Sequence, residues 1–291
     1  MKYTIKNGEV SAKIDTFGAQ LSSFKDAEFE YLWQGDEKFW LGQAPVLFPC
    51  VGGLRNGKTQ FGGKEFSMKR HGVAKFCEFS VAESSETAVT FLLKSNAETL
   101  KSYPFEFEFF VKFELFGKKL VQTYLVKNVG NAVMPFAVGG HPAFNCPTFG
   151  ESDFADCVVE FEQNETVHCP LVSMETGLID FQNRGFSLNN EKTINLRHDL
   201  FYSDALVFDS LKSNSVKFYG IHSKKGIKAE FGDFKYLGIW SGVNNAPFLA
   251  IEPWSGCATC TDEDDDFAKK RGITLLEPNK TAEFSFSMEI L

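Results

Sequence analysis

The chain has 291 residues and a formal net charge of −8, so a phosphate backbone repels it and nucleic acid is not an expected partner. It holds no run of apolar residues long enough to span a membrane as a helix, and its polar start, Met1 to Lys6, lacks the apolar core of a signal peptide. Seven Cys without a disulfide framework point to a reduced, cytoplasmic protein.

In chain order, Val10, Ala12 and Ile14 alternate first. A short helical turn is predicted at Asn96 to Lys101, capped by Asn96 and stopped before Pro104. Phe105, Phe107, Phe109, Val111, Phe113 and Leu115 then alternate with Glu106, Glu108, Lys112 and Glu114, with Phe110 interrupting the polar face. That period of two puts one face in the core and leaves the other mostly wet. Gly117-Lys118-Lys119 reads as a turn and Leu120 to Lys127 as the return strand, closed by Asn128 to Asn131. Ile227, Ala229 and Phe231 repeat the rhythm, as do Phe284, Phe286, Met288 and Ile290. The 32 Phe suit strands and large cores. The expected class is all-β, an antiparallel sandwich or barrel in one domain over residues 1–291. Thr261 to Arg271 is open between two readings. Its acids lead, its bases trail and Gly272 follows, which suits a helix, whereas a solvated acidic loop is the plainer account.

Candidate chemistry sits at few places. His141 lies in Gly139-Gly140-His141-Pro142, after the apolar run Met134 to Val138. Two glycines permit close approach of backbone or ligand at a strand end. A histidine satisfied inside a tight turn is the alternative. Glu252 lies in the apolar run Phe248 to Trp254. Burial there raises a carboxyl pKa toward that of a neutral-pH base, whereas a strand-end Glu reaches solvent. His71, between Arg70 and Gly72, is a candidate for binding oxygen ligands or a surface turn residue. Asp204 opens the apolar run Ala205 to Phe208 and is a candidate acceptor or merely a strand-start Asp. Cys257-Ala258-Thr259-Cys260 offers two of the four ligands a structural zinc site needs, so no metal is assigned. The acids Asp262 to Asp266 lack the glycine turn and distal Glu of a calcium loop. No nucleotide-binding glycine loop and no nucleophile elbow is present.

Four segments together resemble the aldose 1-epimerase (galactose mutarotase-like) family, in its LacX-like branch. They are Phe48-Pro49-Cys50-Val51-Gly52-Gly53-Leu54-Arg55-Asn56-Gly57-Lys58; Arg70-His71-Gly72-Val73-Ala74; Gly140-His141-Pro142-Ala143-Phe144-Asn145; and Tyr236 to Ser241 with Ile251-Glu252-Pro253-Trp254-Ser255-Gly256. The third and last carry most of the specificity. The resemblance implies a β-supersandwich of antiparallel sheets with a sugar in an open groove. It implies His141 as general acid, Glu252 as general base, and His71 and Asp204 as sugar-binding residues. One departure stands out, because many members have an arginine where this chain has Gly53. Arg55 lies two residues on, on the same face if the segment is a strand, and is the candidate replacement; otherwise the site has lost the group.

The implied reaction exchanges the α and β anomers of a free hexose such as galactose or glucose. It needs a base at O1 and an acid at O5. An unperturbed Glu is ionised at neutral pH, and His needs only a small upward shift to supply a proton. No cofactor is required. Trp240 and Trp254 are candidates for stacking on the sugar or for core packing. Two other functions remain open, a hexose-6-phosphate 1-epimerase, given Arg55, Lys58, Lys69 and Arg70, and a non-catalytic carbohydrate-binding protein. The expected partner is a small-molecule sugar, and the sequence leaves open whether the chain is a monomer or a homodimer.

Overall fold

The computed structural model describes residues 1–291. Strands take 51% of the chain and helix 8%, which makes the protein all-β, and neighbouring strands within each sheet pair antiparallel. No helix is long and apolar enough to cross a membrane.

A nine-stranded sheet forms one layer. Its centre is the hairpin Phe107–Phe116 and Lys119–Asn128, turned at Gly117 and Lys118. Along the first arm Phe107, Phe109, Val111, Phe113 and Leu115 are buried, and Leu120, Tyr124 and Val126 answer them on the second. Alternation thus puts a row of rings on the inner face. Phe110 points the other way, yet it pairs across the strands with Leu92 and Leu125, which half-cover it. The last strand, Thr281–Ile290, continues the sheet beside the hairpin, and Gly226–Glu230 follows it.

Facing this layer is a six-stranded sheet whose path runs Leu206–Phe208, Tyr236–Trp240, Phe248–Trp254, Gly139–Gly140 and Val46–Leu47, with Ala143–Asn145 also paired to Phe248–Trp254. Phe248–Trp254 is buried along its whole length. The layers meet through rings, with Phe48 stacked on Phe109 at 4.4 Å. They come close at Gly140, where a Cβ would meet the Phe286 ring at 2.6 Å and the Tyr124 hydroxyl at 3.1 Å. A side chain there would part the sheets.

The short helix forms at Ala97–Ser102, capped by Asn96 in a reciprocal pair with Thr99. The Thr261 to Arg271 segment is a loop; only Phe267–Lys269 makes a helical turn, capped by Asp266. Its charges find tertiary partners instead. Arg271 meets Asp262 at 2.6 Å, and the buried Lys270 ammonium bonds Thr259 Oγ1 at 2.9 Å and lies 3.4 Å from Glu263.

Candidate active site

A cavity of about 510 Å³ opens against the pocket face of the small sheet. Glu252 lies on its wall from the buried central strand, opposite Gly238 in the neighbouring strand. His141 follows directly on Gly139–Gly140, one strand away. Their side chains meet: His141 Nε2 lies 3.1 Å from Glu252 Oε2, with the residues 7% and 2% exposed. The imidazole is held by aromatic rings. Trp40 stacks on it at 4.9 Å, and Trp240 meets it edge-on at 5.5 Å.

Burial moves the two groups in opposite directions. Loss of water, with smaller contributions from the cations Arg70 and Lys75, lowers the His141 pKa to about 3. Loss of water also raises the Glu252 carboxyl well above its ordinary value, opposed by Arg70 and reinforced by Asp204. The small upward shift expected for His141 is therefore reversed. Burial thus favours the uncharged form of the pair, with the proton on Glu252.

His71 is brought to the same cavity, its ring edge-on to His141 at 5.6 Å. It is not a surface turn residue but is buried, in the left-handed conformation at φ 70°. Gly72 follows at φ 78°, and a Cβ there would meet the Phe48 carbonyl at 2.2 Å, so the turn needs glycine. The Gly52 N–H donates to His71 Nδ1 at 3.1 Å. The other ring nitrogen, Nε2, faces the Arg70 Nε–H at 3.4 Å. Burial, helped by His141 and Arg70, holds the His71 pKa well below its ordinary value. Asp204 also lines the cavity with a left-handed backbone, φ 75°, and its Oδ2 stands 3.9 Å from an Arg70 nitrogen. Strained non-glycine residues cluster at ligand sites, and here two of them face one cavity.

Arg55 corrects the sequence reading, since it is not on the cavity wall. Its segment is a helical turn, and Asn56 at φ 54° breaks the extended path that would have put residues 53 and 55 on one face. The guanidinium instead bonds Asp265 at 3.2 Å and the carbonyls of Cys260 and Glu263 at 3.0 and 2.8 Å. The arginine that does line the cavity is Arg70, and Lys75 joins it. Sequence reading placed Arg70 as a base flanking His71 and among the basic residues of the phosphohexose alternative, not as the cavity's arginine. It missed Trp40, which sits with Phe39 in a turn-rich stretch without alternation. Trp240 and Trp254 both reach the wall. Cys257 and Cys260 are buried behind it, sulfurs 3.9 Å apart.

Comparison with known proteins places this geometry in context. The family model described as Aldose 1-epimerase matches residues 1–287. Protein LacX of Lactococcus lactis subsp. lactis, in plasmid and chromosomal forms, is 39% identical over 298 residues, covering 100% of both chains. The crystal structure of a galactose mutarotase related enzyme from Lactobacillus acidophilus superposes with a TM-score of 0.93 at 34% identity, over 100% of this chain and 97% of that one. A galactose mutarotase-like protein from Lactobacillus casei ATCC 334 gives 0.91 at 30% identity, over 100% of both chains.

Proposed function

The chain belongs to the aldose 1-epimerase family of isomerases, and on that premise we propose that it interconverts the anomers of a free hexose, galactose or glucose, with Glu252 and His141 moving the protons. The observation that carries this reading is the buried 3.1 Å contact between the two side chains at the wall of a cavity of sugar-binding size.

Ring opening removes the proton from the O1 hydroxyl, forms the C1=O bond, breaks C1–O5 and returns a proton to O5. Rotation about C1–C2 and reclosure on the other carbonyl face give the other anomer. One base and one acid suffice, provided they share a single proton between them. Burial leaves the shared proton on Glu252, so the reactive form is reached when bound sugar oxygens draw it across the 3.1 Å contact to His141; opening then passes one proton from O1 to Glu252 and one from His141 to O5, and closure reverses both. Positioned acid–base groups each contribute about 10²–10⁴-fold. His71 and the Arg70 guanidinium orient and polarise sugar oxygens, and Asp204 accepts from hydroxyls. Trp40 and Trp240, 5.4 Å apart and nearly perpendicular, offer apolar faces to the C–H side of the ring.

The second reading, a hexose 6-phosphate, is favoured by one observation. Lys75 lines the cavity without a carboxylate partner, beside Arg70 and Lys69, which lower its pKa after burial does. Polarimetry of freshly dissolved α-D-galactose and α-D-glucose, wild type against Glu252→Gln, tests the proposal. Rapid equilibration lost in the variant supports it. Acceleration with hexose 6-phosphates alone moves the assignment to the phosphorylated substrate. Sugar binding with no acceleration leaves a carbohydrate-binding protein.

A further inference from the structure

The strand that carries Glu252 carries Trp254 two residues on, so both side chains leave the same face. The Trp254 indole lies in a slot that glycines of the two flanking strands keep open. Gly139 pairs with Trp254 in one ladder, and a Cβ there would meet Trp254 Cδ1 at 2.9 Å. Gly238 pairs with Glu252 in the other, and a Cβ there would meet the benzene edge of the indole at 2.6 Å. Backbone on both sides thus sets the ring's position. Yet the indole Nε1, buried on the cavity wall, has no hydrogen-bond partner. An unsatisfied buried donor costs about 1–3 kcal/mol, and native proteins rarely keep one without a use.

We propose that Trp254 is a positioning residue of the proton relay, whose indole N–H donates to the Glu252 carboxylate when that group is ionised and so sets which member of the Glu252–His141 pair holds the proton. The inference rests on the mutarotase reading of that pair. The indole N–H completes no bond to the carboxyl, though it already draws the Glu252 pKa downward against the larger effect of burial. Other charged or titratable groups at this wall are His141, His71, Arg70, Lys75 and Asp204. Arg70 is half exposed, with its Nε–H toward His71 Nε2 at 3.4 Å and another nitrogen 3.9 Å from Asp204. A cation next to Glu252 also makes His141 harder to protonate, as Arg70 and Lys75 both do. A neutral N–H stabilises the anion without that opposing effect on the acid.

Two measurements decide it. The Trp254 indole ¹H–¹⁵N signal, assigned through the backbone, is expected to move with pH in wild type as Glu252 ionises and to stop moving in Glu252→Gln. A signal that is static in wild type, or that titrates alike in both proteins, overturns the proposal whatever sugar the enzyme takes. Trp254→Phe keeps a ring in the slot and removes the donor. Its acid limb of kcat/KM is expected to move up by about one pH unit, an activity loss of about 10-fold below that limb, with the alkaline limb in place. An equal loss at every pH marks a merely structural ring and overturns the role. If wild type exchanges no anomers, the mutarotase reading fails, and the indole signal still decides the hydrogen bond.

Discussion

Two regions of this molecule are dense in charge, and they treat it differently. In the segment from Asp262 to Arg271 every acid is answered by a base: Asp262 by Arg271, Glu263 by Lys270, Asp264 and Asp266 by Lys269, and Asp265 by Arg55. At the cavity the accounts stay open. Lys75 has no carboxylate partner, Arg70 approaches Asp204 only to 3.9 Å, and His141 Nδ1 and Trp254 Nε1 are buried without partners. Charge that is matched within the chain holds a loop to the fold. Charge and donors left unmatched in a concave site are free to meet a ligand.

The strongest way to sharpen that contrast is to remove the proposed base. Glu252→Gln is expected to lower kcat by about 10²–10⁴-fold in polarimetry. The same variant tests what the site costs the fold. A carboxyl raised by burial binds its proton more tightly in the folded state, so stability falls as pH rises from the unfolded carboxyl value toward the folded one. Glu252→Gln is therefore expected to melt higher than wild type at pH 8 and to lose that advantage near pH 4. Each kcal/mol of relief is worth about 2–4 °C. An unchanged melting temperature at pH 8 would show that the buried carboxyl is already compensated.

The matched region should break in the opposite sense. Lys270→Met leaves Glu263 with its backbone donors but without its buried ammonium, and is expected to cost about 3 kcal/mol in denaturant unfolding. The folded fraction should keep its kcat.

The two arginines carry the comparison to single residues. Arg70→Met is expected to lower kcat/KM by about 10–100-fold, the loss of one charged hydrogen-bond donor, with no change in melting temperature. Arg55→Met is expected to do the reverse, costing about 1–2 kcal/mol of stability from its loop contacts while KM stays in place. If Arg55→Met weakened substrate binding instead, the division between structural and functional charge would fail at its clearest pair.

Much of this protein is legible one strand at a time. The alternation from Phe105 to Leu115 and its return from Leu120 specify a hairpin and its buried face, because side-chain direction in a strand depends only on position parity. Asn96 starts its short helix for an equally local reason, a side chain bonded to the next turn. The Thr261 to Arg271 segment shows the limit. Its charge order suits a helix dipole worth about 0.3–1 kcal/mol per group. That local preference lost to partners elsewhere in the chain, Arg55 and Thr259 among them.

The site divides the same way. Motifs in the sequence pointed to His141, Glu252, His71 and Asp204, and all four reach one cavity. Which cations accompany them, and which rings hold His141, was decided by tertiary structure alone. Spacing from Gly53 pointed to Arg55, but a left-handed Asn56 in a helical turn sends it away, and a left-handed His71 beside Arg70 builds the wall. The protonation of the pair followed suit, since intrinsic pKa values put the charge on Glu252 and only burial reversed that. The sequence by itself determined strand, turn and face, which are set by neighbours along the chain. Direction in loops, burial and pKa depend on what several distant segments bring together, and only the folded structure decided them.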